Sequence, residues 1–346
     1  MIYFVSLQDH DGPLRGLLRS LRPYFDDLRY ISYERLFHDR RAPFGHYVFT
    51  DIDRLSHYER EVIVGLVRRL RAADPTVRIL NDPQHVLERY PLLRVLEQQG
   101  INEFSVIRLD DGARPARYPV FIRCEDGHHG METDLLHSEA EFKTALAALD
   151  AQGKVLKRKI AIGFRNERYE DGMYRKYGVI NVAGHLMPQH VLRGADWMIK
   201  RNVRSTGDGY AEEELAFIRD NPHGELLLRV FQLAHIDFGR VDYCVVAGRV
   251  QVFEVNTNPH FPGLLENSED SPARAKRREI TRARFIEALR GVDVPLSANL
   301  PVQLSFPHPV YHEMRPWNRG RAARAWYRRW LSRHPHIKRF VPGRFW

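Results

Sequence analysis

Two runs of alternating apolar and polar residues, 238–246 and 250–258, flank a three-residue stretch centred on Gly248. Such runs, rich in β-branched residues and separated by a Gly-containing turn, are typical of a β-hairpin. A three-residue turn places Val246 opposite Val250. The sequence therefore predicts two long antiparallel strands whose register is set by the turn.

The predicted register collects polar side chains on one face of the hairpin. Asp242 lies directly across from Glu254, and because side chains alternate between the faces of a strand, Arg240, Asn256 and Asn258 share that face. Carboxylate and amide oxygens suit Mg²⁺, which takes one or two carboxylates together with water and substrate phosphates. A polar, solvent-facing strand surface is the alternative. Asn is depleted in strands, however, so two Asn at alternate positions favour a metal site.

The same residues resemble the metal-binding strands of the ATP-grasp superfamily, in which an Arg-x-Asp strand precedes Glu-x-Asn-x-x-Pro. This chain has Arg240-Val241-Asp242 and then Glu254-Val255-Asn256-Thr257-Asn258-Pro259. The resemblance implies that Asp242, Glu254 and Asn256 hold Mg²⁺, which bridges the phosphates of ATP. It also implies that Arg240 is catalytic and assists the reacting phosphoryl or acyl centre.

Upstream segments extend the resemblance over about residues 75–265. A predicted strand carries Arg123 where the family has a phosphate-binding Lys, and it leads into a loop with Gly at both ends that corresponds to the family's lid over the phosphates. Further along, an acidic residue near the adenine hinge and a basic pair fit contacts to ribose and phosphate. The residues that the resemblance assigns to ATP binding are Arg123, Gly127, His128, His129, Gly130, Glu167, Arg175 and Lys176.

Strand and helix patterns alternate in residues 1–82, which predicts a mainly parallel sheet. The fold class is therefore α/β followed by α+β, and the resemblance implies an ATP-grasp fold preceded by a small α/β domain and followed by a basic C-terminal helix. Residues 165–178 and 193–212 are expected to be long loops. The expected domains are an N-terminal α/β domain (1–82), a small lobe with the lid loop (83–162), a large lobe with the magnesium site (163–300) and a basic tail (301–346).

The positive charge of the chain is concentrated at its C-terminus. Residues 315–346 contain nine Arg, one Lys and no acidic residue, and without them 43 basic residues face 44 acidic ones. Four of the five Trp lie there, and residues 319–333 fit a helix with Trp326, Trp330 and Leu331 on one side. This helix could pack on the body, clamp an acidic substrate, or attach the protein to nucleic acid or anionic membrane. We expect docking on the body, with the Arg side facing the substrate entrance.

Several classes of protein are excluded by what the sequence lacks. No run approaches the ~18 apolar residues of a membrane-spanning helix. Neither the P-loop nor the dinucleotide-binding Gly motif is present. The two cysteines, Cys124 and Cys244, are far apart in sequence, which argues against a disulfide framework and a Cys-rich zinc site and favours the reducing cytoplasm.

The resemblance implies an ATP-dependent ligase that joins a carboxylate to an amine through an acyl phosphate, with ADP and phosphate as products. ATP and Mg²⁺ are the implied cofactors, and the partners are a small-molecule or peptide carboxylate and an amine. Two alternatives stay open at this point. One is a kinase on the same fold that phosphorylates a small molecule, and the other is a nucleotide-regulated binding protein whose tail engages nucleic acid or membrane.

Overall fold

The computed structural model describes residues 1–126, 130–199, 208–261 and 272–306, and near the C-terminus residues 320, 323–327 and 329–331. The described residues form two compact units. The first unit contains Met1–His85 with the described residues of 257–269 and 278–346, and the second contains Val86–Asn256 with the described residues of 270–277.

The first unit is built around a parallel sheet. Its strands and helices are β1 (Ile2–Ser6), α1 (Gly12–Leu21), β2 (Leu28–Ser32), α2 (Tyr33–Asp39), β3 (Arg41–Ala42), β4 (His46–Phe49), α3 (His57–Ala73) and β5 (Ile79–Leu80). Strands β2, β1, β4 and β5 pair in that order, all parallel. Apolar strand residues such as Phe4 and Val48 are fully buried, and Ser56 and Glu59 start α3 with a capping box. The predicted parallel α/β unit is confirmed.

The second unit consists of two antiparallel sheets with helices around them. Its elements are α4 (Arg89–Gln98), β6 (Val106–Arg108), β7 (Val120–Cys124), α5 (Glu139–Ala151), β8 (Lys159–Gly163), β9 (Tyr174–Val182), β10 (His185–Gly194), α6 (Asp208–Asp220), α7 (Gly224–Ala234), β11 (Phe238–Val246) and β12 (Arg249–Asn256). One sheet has the order β6-β8-β7 and the other β10-β9-β11-β12. Helix α8 (Pro272–Val292) follows along the chain. Strand β13 (Val302–Gln303) belongs to the first unit, where it pairs with β3. The α+β class expected for this part of the chain is confirmed.

The hairpin forms, but its turn differs from the prediction. Only Ala247 and Gly248 form the turn, both with positive φ, so Val246 pairs with Arg249 and not with Val250. A bulge between the pair Asp242–Glu254 and the next pair toward the turn compensates for the shorter turn. The predicted pairing of Asp242 with Glu254 is therefore confirmed, but the predicted three-residue turn is wrong.

Part of the segment expected to be a loop is a strand. Residues 174–178 belong to β9, which pairs with both β10 and β11. Charged residues interrupt the apolar pattern here, which obscured the strand in the sequence. In the structure these charges are compensated: Arg175 pairs with Asp171, and Lys176 pairs with Asp242.

The C-terminal residues 323–327 and 329–331 are helical, but the predicted buried face is wrong in one position. Trp326 is 63% exposed, whereas Ala325 and Leu331 are buried. Two arginines of this segment, Arg324 and Arg329, form ion pairs with Asp9 and Asp11. Trp330 is partly buried. The remaining Trp and Arg residues of the tail prediction lie outside the described residues.

Neither Cys124 nor Cys244 forms a disulfide. Among the described helices, none combines the length and apolarity that crossing a bilayer requires.

Candidate functional site

Two neighbouring strands of the four-stranded sheet bring the predicted metal ligands together. Asp242 on β11 pairs directly with Glu254 on β12, and in the next row of the same face Arg240 pairs with Asn256. The Asn256 amide donates a hydrogen bond to Glu254 Oε1 over 3.2 Å. Both carboxylates and the amide therefore lie on one face, as the sequence predicted.

Asp242 is held by two cationic side chains. The Arg240 guanidinium donates to both carboxylate oxygens, with Nε–Oδ1 at 2.7 Å and Nη2–Oδ2 at 3.1 Å, and Lys176 Nζ lies 3.3 Å from Oδ2. The Asp242 side chain is only 2% exposed. Burial raises its pKa, but the charges of Arg240 and Lys176 outweigh this, so the pKa lies below the ordinary value. Asp242 is therefore ionised at neutral pH.

Glu254 is held by a different pair of cations. Arg89 Nη2 lies 2.7 Å from Oε2, and Arg123 Nη1 lies 3.7 Å from the same oxygen. Burial again raises the pKa of Glu254, and the two guanidinium charges lower it far below the ordinary value. Burial and the neighbouring Arg89 lower the pKa of Arg123 to about 10, partly offset by Glu254, so Arg123 stays charged at neutral pH.

An apolar cleft adjoins the charged residues. Phe121 and Phe164 flank Trp197, with ring centroids 5.3 and 5.5 Å from its ring. Ile162 and Met131 also line the cleft, and so do four charged residues, Arg123, Lys176, Asp242 and Glu254. An aromatic slot that opens onto cations and carboxylates suits a planar base attached to a phosphate chain.

Two residues of this arrangement were missed by sequence reasoning. Arg89 is the first residue of α4 and lies 165 positions from its partner Glu254, and Trp197 follows β10 in a stretch without a motif. No local pattern marks either residue, because each acquires its role only through tertiary contacts.

Several predicted ATP-binding residues are not brought to the carboxylates. Glu167 accepts a hydrogen bond from the Ala247 amide at the hairpin turn. Arg175 is buried between Asp171 and Glu213. Gly130 has a φ of 101°, which favours glycine. Its lid partners Gly127, His128 and His129 lie outside the described residues.

Asn258 is also absent from this face, which corrects the prediction. Its amide donates to Asp51 and to the His10 carbonyl, all in the first unit. The reason is that β12 ends at Asn256, so the alternation of faces does not extend to Asn258.

The donor chemistry fits Mg²⁺ in a partial cage. The described residues contain no group of three or more His, Cys, Asp or Glu side chains arranged for a metal ion. Two ionised carboxylates and one amide are nevertheless the kind of oxygen donors with which Mg²⁺ completes a shell of water and phosphate oxygens. The residues that would hold it are Asp242, Glu254 and Asn256.

Solved ligases are similar to this chain in structure. A D-alanine–D-alanine ligase from Bacillus anthracis, solved with ATP, has a TM-score of 0.46 and 13% identity over 85% of this chain and 97% of that one. The ATP-grasp ligase PsnB with a minimal precursor has a TM-score of 0.47 and 11% identity over 82% and 99%. The N5-carboxyaminoimidazole ribonucleotide synthetase of Thermotoga maritima has a TM-score of 0.47 and 12% identity over 87% and 78%.

No protein-family model matches the sequence, and no curated protein does. An ATP-grasp ligase is among the solved structures to which this chain is similar.

Proposed function

We propose that this protein is an ATP-dependent ligase that joins a carboxylate to an amine and releases ADP and phosphate. The observation that carries the proposal is the junction of an aromatic cleft with two ionised carboxylates and four cationic side chains in one unit. Those cations are Arg89, Arg123, Lys176 and Arg240. The choice of ligation as the reaction rests on the resemblance of the hairpin motif to ATP-grasp strands.

The nucleotide would lie along the cleft. Its base would contact Trp197 and the flanking phenylalanines, and its phosphates would extend toward Arg123 and Lys176, which also line the cleft. Mg²⁺ held by Asp242, Glu254 and Asn256 would supply charge neutralisation on the phosphates. Arg89 and Arg123, which pair with Glu254 in the structure, would then contribute positive charge to the same region.

The proposed reaction has two steps. A substrate carboxylate oxygen attacks the γ-phosphorus, the bond to the β–γ bridging oxygen breaks, and ADP leaves. The amine then attacks the acyl carbon of the acyl phosphate, the C–O bond to phosphate breaks, and the amine loses a proton. Arg240, which donates to both oxygens of Asp242, would stabilise the oxyanion of the tetrahedral intermediate. The protein contributes chiefly orientation and preorganised charge.

An ADP-release screen over pairs of carboxylates and amines tests the proposal. We expect ADP and phosphate in equal amounts, dependent on both substrates, from the parent protein and not from Glu254→Gln. Glu287→Gln, a change at an exposed residue of α8, is the matched control and should behave like the parent. A phosphorylated product formed without an amine would identify a kinase, and absence of Mg·ATP binding would contradict both activities.

A further inference from the structure

A histidine lies in the same row of the sheet as the two carboxylates. His190 on β10 pairs with Gly178 on β9, Gly178 pairs with Asp242, and Asp242 pairs with Glu254. Residues that pair directly across strands point to the same face. The side chain of His190 is therefore on the face that carries Asp242 and Glu254, two strands away from Asp242.

The missing side chain of Gly178 makes room for the imidazole. A Cβ at position 178 would lie 2.6 Å from both Cε1 and Nε2 of His190. The ring therefore occupies the space above Gly178, between its own strand and Asp242. A bulge between Pro188 and His190 sets this register, because Gln189 is the extra residue of β10.

The imidazole has unused hydrogen-bonding capacity. His190 is buried, and neither Nδ1 nor Nε2 has a hydrogen-bond partner among the described residues. A neutral imidazole carries one N–H donor and one acceptor. Burying both without a partner is unfavourable, which is the pattern expected of a group that binds a ligand.

The surroundings of the ring favour an anion. The charged groups that act on His190 are Arg240, Lys176 and Arg277, against one carboxylate, Asp242. Arg277 is itself paired with Glu214. Burial, followed by the charge of Arg240, lowers the pKa of His190 to about 3, so the ring is neutral and can donate from one nitrogen while the cations supply the charge.

His190 lies outside the nucleotide cleft. The cleft is lined by Lys176, Asp242 and Glu254 but not by His190 or Arg240. A ligand group at His190 is thus a different group from the base and the first phosphates.

We propose that His190 is a further residue of the ligase site, whose neutral ring donates a hydrogen bond to an oxyanion of the reacting group. That oxyanion is either the substrate carboxylate or the phosphoryl group that it receives. The inference rests on the proposed function, since it takes the nucleotide cleft as given. Because both ring nitrogens are covered in the structure, binding is accompanied by rearrangement of the side chains around the ring.

Nitrogen NMR of the full chain with ¹⁵N-labelled histidine tests the proposal. The ring signal that is missing from His190→Phe identifies His190. We take the position of this signal in the Mg·ADP complex as the reference and expect it to shift when inorganic phosphate or acetate is added to that complex. A shift with phosphate only assigns the phosphoryl group, and a shift with acetate only assigns the carboxylate.

The two proposals fail in different ways. If Mg·ADP does not bind the parent protein, the proposed function is wrong and this inference with it. If Mg·ADP binds but neither phosphate nor acetate moves the His190 signal, only the inference is wrong.

Substitutions separate the nitrogen from the volume of the ring. His190→Phe keeps a ring above Gly178, so we expect an unchanged melting temperature and Mg·ADP affinity, but about 10-fold weaker binding of the oxyanion that shifts the signal. His190→Gln, which restores an N–H, should recover part of that affinity. Oxyanion binding by His190→Phe equal to that of the parent would show that the ring only fills space.

Discussion

Each unit buries an aspartate, and the two carboxyl groups behave in opposite ways. Asp51 follows β4 in the first unit, and Asp242 lies within β11 in the second; both are almost inaccessible to solvent. Burial raises the pKa of Asp51 to about 7, whereas the pKa of Asp242 lies below its ordinary value. Asp51 and Asp242 are about equally inaccessible to solvent. The difference between their pKa values therefore comes from the groups around each carboxylate.

The groups around Asp51 are two neutral donors, one cation and a second carboxylate, that of Asp53, whose charge raises the pKa further. Leu7 N–H and the Asn258 amide both donate to Oδ2, at 3.2 and 3.0 Å, and the nearest cation, Arg54 Nε, is 3.6 Å from Oδ1. Asp242 instead has a bidentate guanidinium and an ammonium. Two neutral donors and one cation without a bidentate contact do not offset the desolvation of Asp51, whereas the two close cations offset that of Asp242. Asp51 is suited to a structural role and Asp242 to binding a cation and a charged substrate.

The largest effect is expected from neutralising Glu254, the carboxylate that pairs with Asp242 across the hairpin. Glu254→Gln should lower ATP turnover by at least ~100-fold, a few kcal/mol of barrier, because it removes a proposed magnesium ligand. Asp51→Asn should leave turnover within about twofold of the parent, since such a factor is under 0.5 kcal/mol. Steady-state ADP release measures both. Equal losses in the two variants would mean that the contrast between the carboxylates has no functional meaning.

The next effect concerns stability and pH. The pKa of Asp51 in the folded protein lies above the ordinary value of 3.8, so the folded state binds this proton more tightly than the unfolded chain. Ionisation therefore destabilises the folded state as pH rises from about 4 to 7. Asp51→Asn cannot ionise, and its amide oxygen can keep both bonds made to Oδ2. We expect its free energy of unfolding relative to the parent to increase by about 2 kcal/mol from pH 5 to pH 7.

Denaturant titrations at several pH values measure this change. Asp26→Asn, at an exposed position of the same unit, is the matched control for the loss of a surface carboxyl group. A relative stability that falls as pH rises would mean that Asp51 is stabilised as a carboxylate, like Asp242.

The contrast between these carboxylates was only partly visible in the sequence. The pairing of Asp242 with Glu254 followed from alternation and a turn, because strand geometry is local. The strands β9 and β10 were not found, since Pro188, Gly178 and the charges of Arg175 and Lys176 hide the apolar pattern. Strand β9 carries Lys176, which pairs with Asp242, and β10 carries His190, whose ring lies above Gly178. The positions of both side chains depend on tertiary contacts, which no local rule predicts.

A smaller effect is expected in the apolar half of the cleft. Trp197→Ala should weaken ATP binding by about 10-fold, because aromatic stacking on a base contributes about 1–3 kcal/mol. Trp197→Phe should lose less. Trp326→Ala, at a Trp that is 63% exposed, is the control for loss of an indole and should bind ATP like the parent. Titration of intrinsic fluorescence with Mg·ATP measures all three, and unchanged affinity in Trp197→Ala would remove the base from this cleft.

The smallest effect is expected at an ion pair whose cation is exposed to solvent. Arg329 Nη1 lies 3.5 Å from Asp11 Oδ2, with 40% of the Arg329 side chain exposed, whereas Arg240 beside Asp242 is 14% exposed. Asp11 also keeps Arg15 at 2.5 Å. Exposed ion pairs contribute about 0–1 kcal/mol, so Arg329→Gln should lower the free energy of unfolding by less than about 1 kcal/mol, and by less still in 1 M salt, where the Debye length is about 3 Å.

Leu331→Ala, at a fully buried position of the same segment, is the control and should lower the free energy of unfolding by about 2–5 kcal/mol irrespective of salt. The opposite result would be that Arg329→Gln lowers the free energy of unfolding as much as Leu331→Ala does, with no reduction of the loss by salt. That result would mean that the exposed pair of Arg329 with Asp11 is as strong as the buried pair of Arg240 with Asp242.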